Sequence, residues 1–214
     1  MHQGPLRLYV DSLFTSPYAM PVFVTLREKG LAFDTFTLDL DAAQNQAADF
    51  ARLSLTQRVP TLVEGDFALS ESSAICEYLD EAYPAITVYP SDLQQRARAR
   101  QVQAWLRSDL LPIRQERSTL VVFCGQTMPP LSPVAEATAR KLISAAQGLL
   151  AGHPENLFDE WSIADVDLAV MLNRLILNGD RVPGELVAYA QRQWQRPSVQ
   201  AWVNLQRPGP QGVQ

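Results

Sequence analysis

Arg58-Val59-Pro60-Thr61-Leu62-Val63, followed at residues 70–75 by Ser-Glu-Ser-Ser-Ala-Ile, is the stretch whose reading decides the fold. Pro60 has no N–H, so it suits the first residue of a strand or an irregular point just before one. Thr61-Leu62-Val63 then reads as a buried strand, Gly65-Asp66 as a tight turn, and Glu71-Ser72-Ser73 as a helix start after a short second strand. A cis bond is accessible at Val59–Pro60. It would turn the Val59 N–H and C=O out of the sheet and leave them free to pair with another peptide. The helix start offers unpaired N–H groups and the positive end of a dipole. Together these make a site for a short peptide carrying a carboxylate.

Working outward, Leu6, Leu8 and Val10 alternate with Arg7 and Tyr9, the period of a half-buried strand. A loop, Asp11 to Thr15, leads to Ser16-Pro17, read as N-cap and first helical residue. Ala19, Val22, Phe23 and Leu26 form the helical stripe and Gly30 stops it. Phe33–Leu38 reads as a second strand, and residues 39–57 as a polar connection with a short helix. The helix opened at Glu71 carries Ala74, Ile75, Tyr78 and Leu79 and ends before Pro84. A right-handed crossover makes the first two strands parallel, and the Gly65-Asp66 hairpin makes the last two antiparallel. This is a thioredoxin-like layout, an α/β domain with a mixed four-stranded sheet, over residues 1–84.

Residues 85–91 read as a linker, and every clear element in residues 92–214 is helical. Ser91 to Gln94 has a capping-box pattern. It opens a long helix with Val102, Leu106, Leu110 and Ile113 on one face, bent near Pro112. Ser132-Pro133 opens another helix, to about Leu150. Ser162 to Asp165 is a second capping box, and the helix beyond it is apolar nearly all round, as a buried central helix must be. Two shorter helices follow at about 183–193 and 197–205, and the tail from Arg207 looks disordered.

The chain carries a net charge of −5, which opposes a nucleic-acid surface or an anionic membrane as partner. No apolar run approaches the ~18 residues of a membrane span. Two cysteines, Cys76 and Cys124, with no CxxC fit a reducing cytoplasmic setting and read as buried small hydrophobes. His2 and His153 have no ligand-spaced neighbours, so no metal is expected.

The Val59-Pro60 unit followed by the Glu71-Ser72 helix start resembles the glutathione-binding element of the glutathione transferases. A thioredoxin-like half joined to an all-helical half, with a buried Ser-x-x-Asp helix start at Ser162, resembles that family over almost the whole chain. The resemblance implies that the Val59 main chain pairs with the cysteinyl unit of glutathione. It implies that Glu71 and Ser72 hold the γ-glutamyl end, and that Arg58 or Gln57 meets the glycine carboxylate. It also implies a homodimer, with glutathione as co-substrate.

In this fold the reactive group sits at the start of the first helix, here Phe14-Thr15-Ser16-Pro17-Tyr18. Relatives with thiol chemistry of their own carry Cys where this chain has Ser16, so glutathione's sulfur must do the work. A free thiol has pKa ~8.5, and lowering it by two units takes ~2.7 kcal/mol. A hydroxyl hydrogen bond to a charged group supplies ~1.5–3 kcal/mol and a helix N-terminus ~0.3–1, so Ser16 and its helix suffice. Ser12, Thr15 and Tyr9 are rivals for that role. Phe14, Tyr18, Trp105, Val121 and Phe123 are candidates for the second-substrate pocket. The resemblance leaves open conjugation to an electrophile, reduction of an organic hydroperoxide, isomerase or dehalogenase chemistry, and a non-catalytic interaction protein.

Overall fold

The computed structural model describes residues 4–153 and 155–207. They form two compact units, one from the described residues up to 86 together with those from 200 onward, and one from those between 87 and 199.

The first unit is built on a four-stranded sheet of order β2-β1-β3-β4, from β1 (Leu6–Asp11), β2 (Phe33–Leu38), β3 (Thr61–Glu64) and β4 (Phe67–Ser70). β1 and β2 are parallel; β3 runs antiparallel to both β1 and β4. The alternation in β1 does what it should: Leu6, Leu8 and Val10 are buried. Helix α1 (Ala19–Glu28) is buried along nearly its whole length and packs on α3 (Ser72–Ala82) and β1. The short α2 (Ala48–Leu53) sits in the connection to β3 and buries Phe50. At the end of α1 the Lys29 ammonium is wholly buried, pairs with Asp80 of α3 at 3.4 Å and donates to the Ile86 carbonyl. This ties α1, α3 and the chain beyond α3 together.

The second unit is helical: α4 (Leu93–Ser108), α5 (Leu111–Glu116), α6 (Thr119–Cys124), α7 (Pro133–Leu149), α8 (Ile163–Ile176), α9 (Gly184–Trp194) and α10 (Pro197–Val203), whose last residues belong to the first unit. α8 is the central helix and packs against α4, α6 and α9. Among the described residues no helix is long and apolar enough to cross a membrane.

Several expectations need correction. Asp92, not Ser91, caps α4: its carboxylate accepts from the N–H groups of Gln94 and Gln95 at 3.0 and 2.9 Å, and one carboxylate oxygen serves both donors. The bend near Pro112 is a full break. α4 stops at Ser108, and Pro112, which cannot donate to the preceding turn, sits in the first turn of α5. Arg114 covers the freed Leu106 carbonyl at 3.0 Å. Thr119-Leu-Val-Val-Phe-Cys forms α6 although its β-branched run has a strand's propensity. Packing against α8 overrides it, with Val121 and Val122 buried. Cys76 is buried as expected, but Cys124 is exposed, because α6 ends there and Gly125 turns the chain away in the left-handed region. Arg207 is anchored by four hydrogen bonds rather than loose; the rest of the expected tail, 208–214, lies outside the described residues.

The Ser162–Asp165 capping box is present, and Asp165 does more than close it. Its fully buried carboxylate accepts from the N–H of Leu157 (2.7 Å), the N–H and hydroxyl of Ser162 (2.9 and 3.1 Å) and the hydroxyl of Tyr189 on α9 (2.8 Å). Burial pushes this carboxyl up from its ordinary range, and those donors pull back against it. Asp165→Ala would leave several buried donors unpaired, at ~1–3 kcal/mol each. We expect a loss of at least ~3 kcal/mol in urea unfolding; a change under ~0.5 kcal/mol would show the network to be dispensable.

Candidate active site

Strand register decides what meets at the site. Tyr9 of β1 pairs with Thr61 of β3, and Thr61 pairs with Ser70 of β4. The end of β1, the start of β3 and the end of β4 therefore share one end of the sheet. Attached to them are the loop 12–18, the Val59–Pro60 unit and the Glu71-Ser72 turn.

The loop after β1 is organised by Asp11, which sequence reading passed over. This carboxylate is 4 % exposed. It accepts from the Thr15 N–H (2.7 Å), the Thr15 hydroxyl (3.0 Å) and the Ser16 N–H (3.0 Å). An Asp with Thr and Ser four and five residues on is the signal that could have found it, since short acidic side chains capture nearby backbone N–H groups. Within this loop Phe14 has a left-handed φ of 50°, with its N–H on the Asp11 carbonyl at 3.1 Å.

Ser16 caps α1, though not as read from the sequence. The regular helix starts at Ala19 rather than Pro17, because the Asp11 carboxylate holds Thr15 and Ser16 in a turn and the ladder begins only beyond it. The Ser16 hydroxyl oxygen accepts from the Ala19 N–H at 3.1 Å and the Ser16 carbonyl from the Met20 N–H at 3.3 Å. The Thr15 hydrogen is spent on Asp11. Among the described residues no acceptor takes the Ser16 hydroxyl hydrogen. Ser12 sends its N–H to the Leu38 carbonyl of β2, on the far side of β1 from β3. Tyr9 stays within its strand, its ring 5.2 Å from Phe36 and 5.5 Å from Phe50.

The Val59–Pro60 bond is cis. The residues before it are fixed by small polar contacts: the Thr61 hydroxyl lies 2.9 Å from both Ser54 Oγ and the Arg58 carbonyl, and Asn45 donates to the Gln57 carbonyl at 2.9 Å. Among the described residues the Val59 N–H and C=O make no hydrogen bond. The Gln57 and Arg58 side chains are exposed beside it.

Glu71 is held between β4 and α3 with φ 75° and ψ 113°. A non-glycine residue at positive φ is disfavoured, by ~1–3 kcal/mol in sparsely populated regions. Its carbonyl receives the Ile75 N–H at 2.9 Å, while its side chain is exposed and caps nothing. Ser72, the first residue of α3, is 4 % exposed. A carboxylate-bearing ligand laid along Val59 would meet the uncapped first turn of α3 at one end.

Of the pocket candidates, Phe14 and Tyr18 are half-buried in the Ser16 loop. Trp105, Val121 and Phe123 belong to the second unit. Trp105 donates to Asp109 at 2.8 Å, Val121 is in the core, and Phe123 stacks on Trp194 with ring centres 6.3 Å apart. Among the described residues no group of three or more His, Cys, Asp or Glu could hold a metal ion.

Comparison with known proteins covers both halves of the chain. The family model "Glutathione S-transferase, N-terminal domain" matches residues 15–82, and "Glutathione S-transferase, C-terminal domain" matches 92–207. The mouse glutathione S-transferase theta-3 is 37 % identical over 130 residues, covering 58 % of this chain and 53 % of that protein. The bovine glutathione S-transferase theta-1 is 34 % identical over 152 residues, covering 69 % and 61 %. The chain thus matches little more than half the length of these two relatives. A crystal structure of a glutathione transferase homologue from Burkholderia, with bound glutathione, superposes with a TM-score of 0.76 at 45 % identity, covering 93 % of this chain and 96 % of that one. With both halves matched in order and the two-part fold in place, the chain belongs to the glutathione S-transferase family.

Proposed function

We propose that this protein binds glutathione and uses it as a nucleophile. The Val59 N–H and C=O pair with the cysteinyl unit, as two main-chain groups that make no hydrogen bond among the described residues are able to do. Glu71 takes the γ-glutamyl ammonium. The Ser72 N–H and hydroxyl take the α-carboxylate at the start of α3, where the helix dipole favours an anion. Arg58 or Gln57 meets the glycine carboxylate. Glutathione binds on the first half, residues 1–84, and the helical half follows from residue 92. The protein works as a homodimer in a reducing, cytoplasmic setting, which suits a chain whose two cysteines form no CxxC.

The observation that carries the reading is the division of labour at the start of α1. Thr15 has given its hydrogen to Asp11. Ser16 uses only its oxygen, towards Ala19, and keeps a hydrogen to donate to sulfur. That bond strengthens as the thiol ionises, so it favours thiolate over thiol, with the helix N-terminus adding to it. In conjugation the thiolate forms a C–S bond to a hydrophobic electrophile and displaces its leaving group, or adds to it and takes up a proton. In peroxide reduction one glutathione attacks the O–O bond and releases the alcohol. A second glutathione displaces the sulfenic oxygen as water and leaves glutathione disulfide. Phe14 and Tyr18, in the loop of Ser16, supply apolar surface for the second substrate. Loss of the free Val59 groups or of Glu71-Ser72 would have favoured a non-catalytic interaction protein. Isomerase and dehalogenase chemistry would use the same thiolate.

The test is thiolate ultraviolet absorbance of bound glutathione against pH. Ser16→Ala is expected to raise the midpoint by ~1–2 units, the worth of one hydrogen bond to a charged group. If wild type and variant both titrate like free glutathione, the mechanism is wrong. The γ-glutamyl subsite is tested separately. Ser72→Ala and Glu71→Gln should each weaken glutathione binding by ~10-fold or more in calorimetry and leave the thiolate midpoint of the saturated enzyme within ~0.3 units. Unchanged affinity in both variants would remove these residues from the site.

A further inference from the structure

Trp202 is fully buried on α10, with its ring edge-on to Phe14 at 5.8 Å and to Phe23 at 5.3 Å. Beyond it Arg207 folds back. Nη1 donates to the carbonyls of Val203 (2.6 Å) and Leu205 (3.1 Å), and Nη2 donates to those of Trp202 and Phe14 (3.2 Å each). Two of these bonds finish the end of α10, whose last carbonyls need donors, and a third holds the Leu205 carbonyl just beyond it. The fourth joins residues 193 apart in sequence and lands in the loop that precedes Ser16.

That landing point is the left-handed residue of the loop. A bulky side chain at φ 50° is disfavoured and persists only when its surroundings hold it. Phe14 is held at three points: its N–H on the Asp11 carbonyl, its carbonyl under Arg207 and its ring against Trp202. Two residues on, Asp11 holds the Ser16 N–H, and the Ser16 oxygen meets Ala19. Releasing the carbonyl and the ring leaves this turn held only from the Asp11 side, through the N–H groups of Phe14, Thr15 and Ser16. The Phe14–Thr15 peptide, fastened by its N–H alone, can then rock about that bond and carry the Ser16 hydroxyl with it.

We infer that Arg207, backed by Trp202, is a positioning residue for the Ser16 hydroxyl: it clamps the Phe14 turn that sets this hydroxyl at the start of α1. The inference rests on the role given to Ser16 above. Arginine suits the task because its fork reaches carbonyls on two segments at once, which a single ammonium does less well.

The experiment compares Arg207→Gln, Arg207→Lys, Ser16→Ala and the Ser16→Ala/Arg207→Gln pair by two readouts. The first is the pH midpoint of bound glutathione's thiolate absorbance, with kcat and KM for conjugation. The second is hydrogen exchange of the segment 13–19. Arg207→Gln should raise the midpoint by ~0.5–1 unit, which is about three- to tenfold less thiolate well below it, and lower kcat in proportion. KM for glutathione should move by less than ~2-fold. Arg207→Lys should recover part of the loss. In the Ser16→Ala background Arg207→Gln should shift the midpoint no further. Exchange at 13–19 should quicken while the rest of the first unit keeps its protection. If Ser16→Ala moves the midpoint and Arg207→Gln does not, or if the pair is additive, the positioning role is overturned and the Ser16 mechanism stands. If Ser16→Ala moves nothing, the Ser16 mechanism fails, and the clamp is then judged on exchange alone: unchanged protection of 13–19 overturns it, faster exchange supports it. Should Arg207→Gln not fold, Trp202→Phe takes its place with the same expected directions.

Discussion

The pairing of β3 between β1 and β4 is the constraint on which the rest hangs. Because Thr61 faces Tyr9 on one side and Ser70 on the other, three connections that lie far apart in sequence emerge at one end of the sheet. β3 is buried on both faces, so a slip of one residue would send Leu62 and Val63 into packing sites shaped for other side chains and misfit the core on either side. Core packing thus guards the alignment of Ser16, Val59 and Ser72 without any of the three contributing much to it. The site inherits its geometry from the hydrophobic pattern.

On that frame each connection is tightened by a polar device of its own. Asp11 gathers two N–H groups and a hydroxyl, Ser54 and Thr61 tether the Arg58 carbonyl, and the Glu71 backbone is trapped between a strand and a helix. Phe14, Gln57 and Glu71 all take positive φ, and all lie in these connections. Strain concentrated there and absent from the strands is what a preorganised binding site looks like: ordering that a ligand would otherwise have to impose is already in place.

Much of the architecture was legible because local and global signals agreed. The β1 alternation, the X-Pro strand entry, the Gly65 hairpin and the Ser162 capping box each say the same thing at the levels of propensity, pattern and packing. Legibility failed where two signals competed. Ser91 and Asp92 are both good caps, and only geometry chose the carboxylate. Thr119–Cys124 has strand-forming residues and a helical address. Within the candidate site, the positions of Ser16, Val59, Pro60, Glu71 and Ser72 were readable because each has a local backbone reason to be where it is. Asp11 acts across a turn and Arg207 acts across nearly the whole chain, and no periodicity or spacing reports such contacts. The polar residue that organises a loop is often indistinguishable in sequence from one that is merely solvated.

The unequal burial of the two cysteines has a practical consequence. Cys76 receives the Thr25 hydroxyl in the interior of the first unit, whereas Cys124 stands in the open at the end of α6. A maleimide dye added in stoichiometric amount will therefore react at one sulfur in the helical unit and spare the other. That provides a fluorescent reporter attached at a single known address, and it also marks the atom through which stored, aerated samples will cross-link unless a reductant is kept in the buffer.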